Sequence, residues 1–167
     1  MVCFKCSRTE GLFAALNDCL YRSMYHFAYA ALIDLDEFII PHKTNTLPML
    51  LEGLRERSDS RAAGAYSFQN AFFYLQWPDE RPKLDDSKFV GALVTQRKTR
   101  RRQKLHPHKQ RSKYICRPEK VFEAGNHFVW EFVPGSGALS VPPDQAILHH
   151  YRVGKIIDEP LLTQFPL

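Results

Sequence analysis

Asp34, Asp36 and Glu37 stand in the stretch Tyr29-Ala-Ala-Leu-Ile-Asp-Leu-Asp-Glu-Phe-Ile-Ile-Pro41, directly after a short apolar run that reads as a buried strand. Three carboxylates where a strand leaves the core are costly to bury unpaired, so a cation or a positive partner is expected beside them. Along an extended backbone Asp34 and Asp36 fall on one side and Glu37 on the other. Two hard oxygen donors on one side suit a divalent cation that keeps some waters and takes phosphate oxygens as its remaining ligands. The competing reading is a turn-capping pair of aspartates that holds nothing.

The elements that must position these residues can be read from spacing. Residues 12–26 place Leu12, Leu16, Cys19, Leu20 and Met24 at helical intervals, and the helix hands over to a strand at 28–33. Asn17, Asp18 and Arg22 fall off or beside that stripe and read as structural, setting the helix next to the acidic turn. Pro41 stops the strand, and Thr46 caps a second helix with Pro48 in its first turn. That helix runs to about Arg57, with Leu47, Leu50, Leu51 and Leu54 inward. Residues 62–75 read as a strand or hairpin arm, 77–82 as a turn-rich loop and 89–95 as a short strand. Residues 113–118, 121–124 and 128–132 are strand-like, 134–137 is a loop, and 146–151 is a final strand. The pattern predicts one mixed α/β domain over residues 1–167.

The chain has 167 residues, enough for one real core and marginal for two. A 44% hydrophobic and 13% aromatic content excludes a disordered chain. No apolar run approaches the roughly 20 residues that span a bilayer, and the first residues lack a signal-peptide core, so a soluble chain is expected. The net charge of +5 is local. Arg97, Lys98, Arg100, Arg101, Arg102, Lys104, Lys109, Arg111 and Lys113 lie within residues 96–113 without an acid among them, and the other 14 basic residues face 18 acidic ones. This segment, broken by His106-Pro-His108, reads as a basic exposed insertion loop. Cys3 and Cys6 have C-x-x-C spacing without a second pair, so a zinc site is not expected; Cys19 reads as a small hydrophobe on its helix. Four cysteines do not by themselves fix a redox compartment.

Five ordered blocks carry a resemblance: Asn17-Asp-Cys-Leu-Tyr-Arg22, Asp34-Leu-Asp-Glu-Phe38 with Pro41 after it, Ser112-Lys-Tyr-Ile-Cys-Arg-Pro118, Gly125-Asn-His127, and Leu148-His-His-Tyr-Arg152. Together they resemble glycosyltransferase family 92, whose members are inverting, galactosyltransferase-like enzymes of the GT-A fold. The resemblance implies metal-dependent transfer of a sugar, usually from UDP-galactose, to an acceptor glycan. It implies Asp36 as a direct ligand of Mn²⁺ or Mg²⁺, with Asp34 assisting at the metal or the ribose and Glu37 beside them. The pair His150-Tyr151 resembles the late histidine that completes the metal site in many GT-A enzymes, and an imidazole ligand favours Mn²⁺. His149 and His150 face opposite ways on a strand, so one packs while the other serves the site. Arg152 or Lys155 would meet the phosphates, and His127 would lie near the sugar or acceptor. The family also implies a Golgi membrane location through an N-terminal anchor.

An inverting transfer needs a base within reach of the acceptor hydroxyl. Glu131 and Asp79 are weak candidates, named because they are acidic and sit near strand ends or loops; a surface role competes for both. About 33 residues precede Asp34, and one βαβ unit takes roughly 30 or more, so the nucleotide-binding half is expected to be incomplete and donor binding weak. Three other readings compete. An aspartyl-nucleophile phosphohydrolase wants Thr or Val where this chain has Phe38, and a P-loop ATPase needs a G-x-x-x-x-G-K-[ST] that is absent. A nucleic-acid-binding module on residues 97–113 has the cations but no aromatic until Tyr114 for stacking.

Overall fold

Leu12, Leu16 and Leu20 are buried at four-residue intervals, and they make the inner stripe of α1 (Leu12–Ser23) in the computed structural model, which describes residues 2–4, 11–57, 62–79, 93–154 and 161–162. The helix ends as predicted within a turn of His26: Ser23 Oγ donates to the Cys19 carbonyl at 2.7 Å, and Tyr25 takes a left-handed φ of 61°. The second helix, α2 (Leu47–Arg55), starts where expected. Thr46 Oγ1 accepts from the Met49 N–H at 3.3 Å, and Leu50, Leu51 and Leu54 are buried.

A five-stranded sheet is built from β1 (Val2–Phe4), β2 (Ala30–Ile33), β4 (Ala63–Phe68), β7 (Lys113–Cys116) and β10 (Gly137–Ser140) in the order β1-β2-β7-β4-β10. Only β7 is antiparallel to its neighbours, so β1, β2, β4 and β10 point the same way. Side chains alternate across it as a pleat requires. Ala30, Leu32, Ala65, Tyr114 and Cys116 pack with α1 and with a hairpin of β8 (Val121–Ala124) and β9 (Val129–Phe132). Tyr66, Phe68 and Ile115 pack on the other face with α2 and a second sheet. That second sheet is β3 (Glu37–Pro41), β11 (Ala146–Arg152) and β5 (Asn70–Tyr74), in the order β3-β11-β5.

Three expectations change. The run 62–75 is not one arm: Gln69 separates β4 from β5, which lie in different sheets. Residues 94–97 form a helical turn, α3 (Val94–Arg97), where a strand over 89–95 was expected; residues 89–92 lie outside the described set. The stretch before Asp34, expected to be too short for nucleotide-binding units, does hold β1-α1-β2 with β1 and β2 parallel.

The basic segment 96–113 is not simply an exposed loop. Lys113 is buried in β7, and β6 (Arg101–Arg102) is half-buried and pairs with β12 (Leu161–Leu162). His106 N–H bonds the Asn70 carbonyl at 2.9 Å, and the Arg111 guanidinium lies 5.5 Å over the Phe72 ring. Sheet hydrogen bonds and aromatic faces therefore occupy cations that composition alone leaves in solvent. Cys19 packs against the core from α1 as expected and is in addition disulfide-bonded, while Cys116 is free and buried. Among the described residues no helix is long and apolar enough to cross a membrane.

Candidate functional site

The chain passes from the first sheet to the second at the acidic residues. β2 ends at Ile33, β3 begins at Glu37, and Asp34-Leu35-Asp36 turn between them. Backbone bonds fix the turn: Glu37 N–H donates to the Asp34 carbonyl at 3.2 Å, and Tyr151 N–H to the Asp36 carbonyl at 2.9 Å. The alternation expected of an extended chain fails here because this backbone is a turn. Its consequence is that the three carboxylates have three environments.

Glu37 is only 2% exposed. Its Oε2 accepts from the Asp34 N–H at 2.9 Å and lies 3.6 Å from Lys113 Nζ, and its Oε1 lies 3.2 Å from His150 Nδ1. Burial is the largest single influence on its carboxyl and pushes the pKa up. The His150 hydrogen bond, the Lys113 charge and the Asp34 N–H together outweigh it and hold Glu37 below its ordinary value. Lys113 is the buried cation that makes this possible. Its Nζ also lies 3.3 Å from Asp34 Oδ1 and donates to Asn126 Oδ1 at 2.9 Å. A buried ammonium with two carboxylates and an amide oxygen around it is compensated for its lost hydration.

Asp36 is different, being half-exposed, with its Oδ2 3.4 Å from His150 Nε2. His150 thus presents Nδ1 to the buried Glu37 and Nε2 to the half-exposed Asp36. Adjacent ligands of an octahedral hard cation lie about 3 Å apart, so this oxygen and this nitrogen fit as a pair of donors. Asp34, expected beside them, is engaged by Lys113 instead. Among the described residues no group of three or more His, Cys, Asp or Glu side chains is arranged to hold a metal. Asp36 and His150 are the two donors that stand together on the half-exposed side of the turn.

The face of β11 that carries His150 also carries Arg152. Both meet Phe72 of β5: the imidazole edge-on with centroids 5.2 Å apart, the guanidinium 5.2 Å above the ring. Asn70 Nδ2 lies 3.2 Å from His150 Nδ1, completing the surround. His149 points the other way and stacks on Phe73 at 4.2 Å, so it is the packing member of the pair.

His127 lies in the turn joining β8 to β9. Its carbonyl accepts from Ser112 Oγ at 2.8 Å, and its Nε2 is 3.4 Å from Asn126 Nδ2. Burial first, then the Lys113 charge, lowers the pKa of its imidazole, against a hydrogen bond to the Ser112 backbone that raises it. Asn17 clamps this hairpin to α1 by accepting from the Ala124 N–H at 2.8 Å and donating to its carbonyl at 3.1 Å. It positions the hairpin, where the sequence suggested the acidic turn.

The weak base candidates stand elsewhere. Glu131 is exposed on β9 and lines a groove with Phe13, Tyr21 and Glu123. Asp79 is ion-paired to Lys98 at 2.5 Å and to Arg97 at 3.5 Å, and the Lys98 hydrogen bond leads in depressing its pKa. Lys155 lies outside the described residues. Sequence reasoning missed Lys113, Asn126, Asn70 and Phe72. The first had a signal: it is the lone charge in the strand Lys-Tyr-Ile-Cys, where a buried charge demands a partner.

The model of the family described as glycosyltransferase family 92 matches residues 6–161, which include the acidic turn, Lys113, the hairpin turn and β11. A search of curated proteins finds no match. The mixed α/β architecture is consistent with a GT-A-like glycosyltransferase fold. With a family match over most of its length, the chain belongs to glycosyltransferase family 92 and is a glycosyltransferase.

Proposed function

We propose that the protein transfers a hexose, galactose by family likeness, from a UDP-sugar to an acceptor glycan with inversion, assisted by Mn²⁺ or Mg²⁺. One observation carries this reading: Asp36 Oδ2 and His150 Nε2 converge at 3.4 Å on the half-exposed side of the acidic turn. A divalent cation held by Asp36 and His150 would neutralise the diphosphate leaving group without any proton transfer.

The protein's own residues have separable tasks. Glu37 fixes the orientation of His150 through its Nδ1. Lys113 holds Glu37 ionised and engages Asp34, which leaves the half-exposed Asp36 as the carboxylate that would meet a cation. Arg152, with its guanidinium 5.2 Å from the Phe72 ring centre, would meet phosphate oxygens with its planar fork. The disulfide at Cys19 supports an oxidising compartment, which agrees with a Golgi lumen.

Calorimetric titration with UDP and Mn²⁺, paired with UDP-galactose turnover, tests the proposal. Binding that requires Mn²⁺ and falls at least tenfold in Asp36→Asn and His150→Ala is the expected result. Metal-independent binding, or full turnover in Asp36→Asn, would overturn it.

A further inference from the structure

One cavity stands apart from the acidic turn. It encloses about 260 Å³ on the α1 side of the five-stranded sheet, under the loop at 108–109. Ser67, His108, Lys109, Tyr114, Phe128 and Ser140 are among the residues that line it. In liquid terms this is the space of about nine waters, the scale of one six-membered sugar ring and below the range of nucleotide-sized pockets.

Its place in the sheet ties it to the site. Leu32, Tyr114, Ser67 and Ser140 form one row across β2, β7, β4 and β10. Asp34 is two residues beyond Leu32, roughly 7 Å along a strand. The cavity thus opens at the carboxyl ends of the parallel strands, the edge where α/β sheets bind ligands, and on the same edge as the acidic turn. A chain of bonds runs from the cavity to the hairpin turn: Lys109 N–H donates to Ser112 Oγ at 2.8 Å, and that hydroxyl donates to the His127 carbonyl.

The lining has two characters. Ser67 Oγ and His108 Nδ1 lie 2.9 Å apart, Ser140 adds a second hydroxyl at the exposed rim, and Lys109 holds an ammonium 5.8 Å over the Phe128 ring. Hydroxyl, imidazole and ammonium can each bond a sugar hydroxyl, while Phe128 and Tyr114 offer apolar ring surface. A pyranose has the matching division, with hydroxyls at its rim and C–H groups on its faces. Lys109 reaches the cavity from a left-handed backbone, φ 69°, a conformation that non-glycine residues seldom adopt and that often marks a binding loop.

Building on the sugar-transfer reading, we infer that this cavity is a subsite for one pyranose ring of the acceptor glycan, oriented by the Ser67–His108 pair. The burial of Ser67 between Ala65 and Tyr114 fixes the hydroxyl, and the hydroxyl fixes the imidazole. Ala138 is exposed at the mouth on the edge strand β10, so a large side chain there closes the cavity without entering the core.

Saturation-transfer NMR on the full chain, with a panel of methyl pyranosides (β-galactoside, β-N-acetylglucosaminide, α-mannoside and α-fucoside), tests the inference. At least one is expected to bind with millimolar affinity, and Ala138→Trp and His108→Ala should each weaken it fivefold or more. Calorimetry with UDP and Mn²⁺ should be unchanged in Ala138→Trp and lost in Asp36→Asn, which should still bind the pyranoside. No binding of any panel sugar to the wild type, or binding indifferent to Ala138→Trp, overturns the subsite and identifies a water-filled cavity only. Pyranoside binding without UDP–Mn²⁺ binding would instead refute the donor-site proposal and leave the subsite standing.

Discussion

Lys113 Nζ lies 3.6 Å from Glu37 Oε2, and the two residues, each 2% exposed, belong to different sheets. The pair is where β7 and β3 are joined electrostatically, and Asp34 Oδ1 at 3.3 Å makes it a triad. Removing one partner of a buried ion pair costs about 3–5 kcal/mol, because the other charge is left without compensation. Lys113→Met should therefore lower the unfolding free energy by about 3 kcal/mol in urea titration at pH 7. Adding Glu37→Gln should recover part of that loss, since the stranded charge is gone. A fully additive double variant would mean that the two groups do not interact.

Glu37 and His149 contribute to acid stability with the same sign. Glu37, held below its ordinary 4.5, stabilises the fold above that value, and the stabilisation is lost as pH falls through the lower folded pKa. His149 is stacked on Phe73, and burial, followed by the charges of His42 and Arg101, pushes it from 6.5 down to about 3. Below pH 6.5 the unfolded chain therefore takes a proton that the folded chain refuses, and stability falls toward pH 3. His149→Phe should shrink the drop in melting temperature between pH 7 and 5. It should not abolish it, since burial also lowers His42, His108 and His127. An unchanged drop would place His149 in contact with water.

Gly125 occupies a position that a side chain cannot share. A Cβ there would stand 2.3 Å from Trp130 Nε1 and 2.5 Å from the Phe128 carbonyl oxygen, and the latter is backbone that cannot swing aside. Tyr114 Oη also donates to the Gly125 carbonyl at 2.8 Å, so any shift of the turn reaches the core. Gly125→Ala should cost about 1–3 kcal/mol in chemical unfolding. It should also weaken whatever His127 and Asn126 support. Wild-type stability would show that the hairpin turn relaxes freely.

Much of this was legible in the sequence, and the limits are physical. The leucine stripes of α1 and α2, the Thr46 cap and β11 all follow from local spacing, which tertiary contacts did not override. Asp34, Asp36 and Glu37 were found as a group because charges at the end of an apolar run are conspicuous. Their division of labour was not, because it depends on a turn between two sheets whose pairing is non-local. Lys113 was absorbed into a basic run, since composition cannot tell that the last residue of a charged stretch begins a buried strand. The Ser67–His108 pair spans 41 residues and no spacing rule connects them.

Reduction offers a check on compartment. Cys19 is disulfide-bonded on the partly buried flank of α1, and a native disulfide contributes typically 2–4 kcal/mol. A reductant should lower the melting temperature by several degrees, and Cys19→Ala should remove that sensitivity. Cys116 is fully buried with its thiol pushed up to about 12 by burial, so it should resist thiol reagents until the chain unfolds. Equal stability with and without reductant would take the oxidising compartment away as an inference.

Asp36 and Glu37 are neighbours in sequence with opposite exposures, and this makes their variants diagnostic. Asp36 is half-exposed and its carboxylate faces His150, so Asp36→Asn should leave the melting temperature within a degree or two. If it holds a cation against the diphosphate, the same change should abolish UDP-galactose turnover. Glu37→Gln keeps the shape but gives His150 Nδ1 a neutral partner, and losing such an outer carboxylate typically costs 10–100-fold in metal affinity. Raising Mn²⁺ should then restore turnover in Glu37→Gln and leave Asp36→Asn inactive. Rescue of both by Mn²⁺, or of neither, would place the cation's ligands somewhere other than the acidic turn.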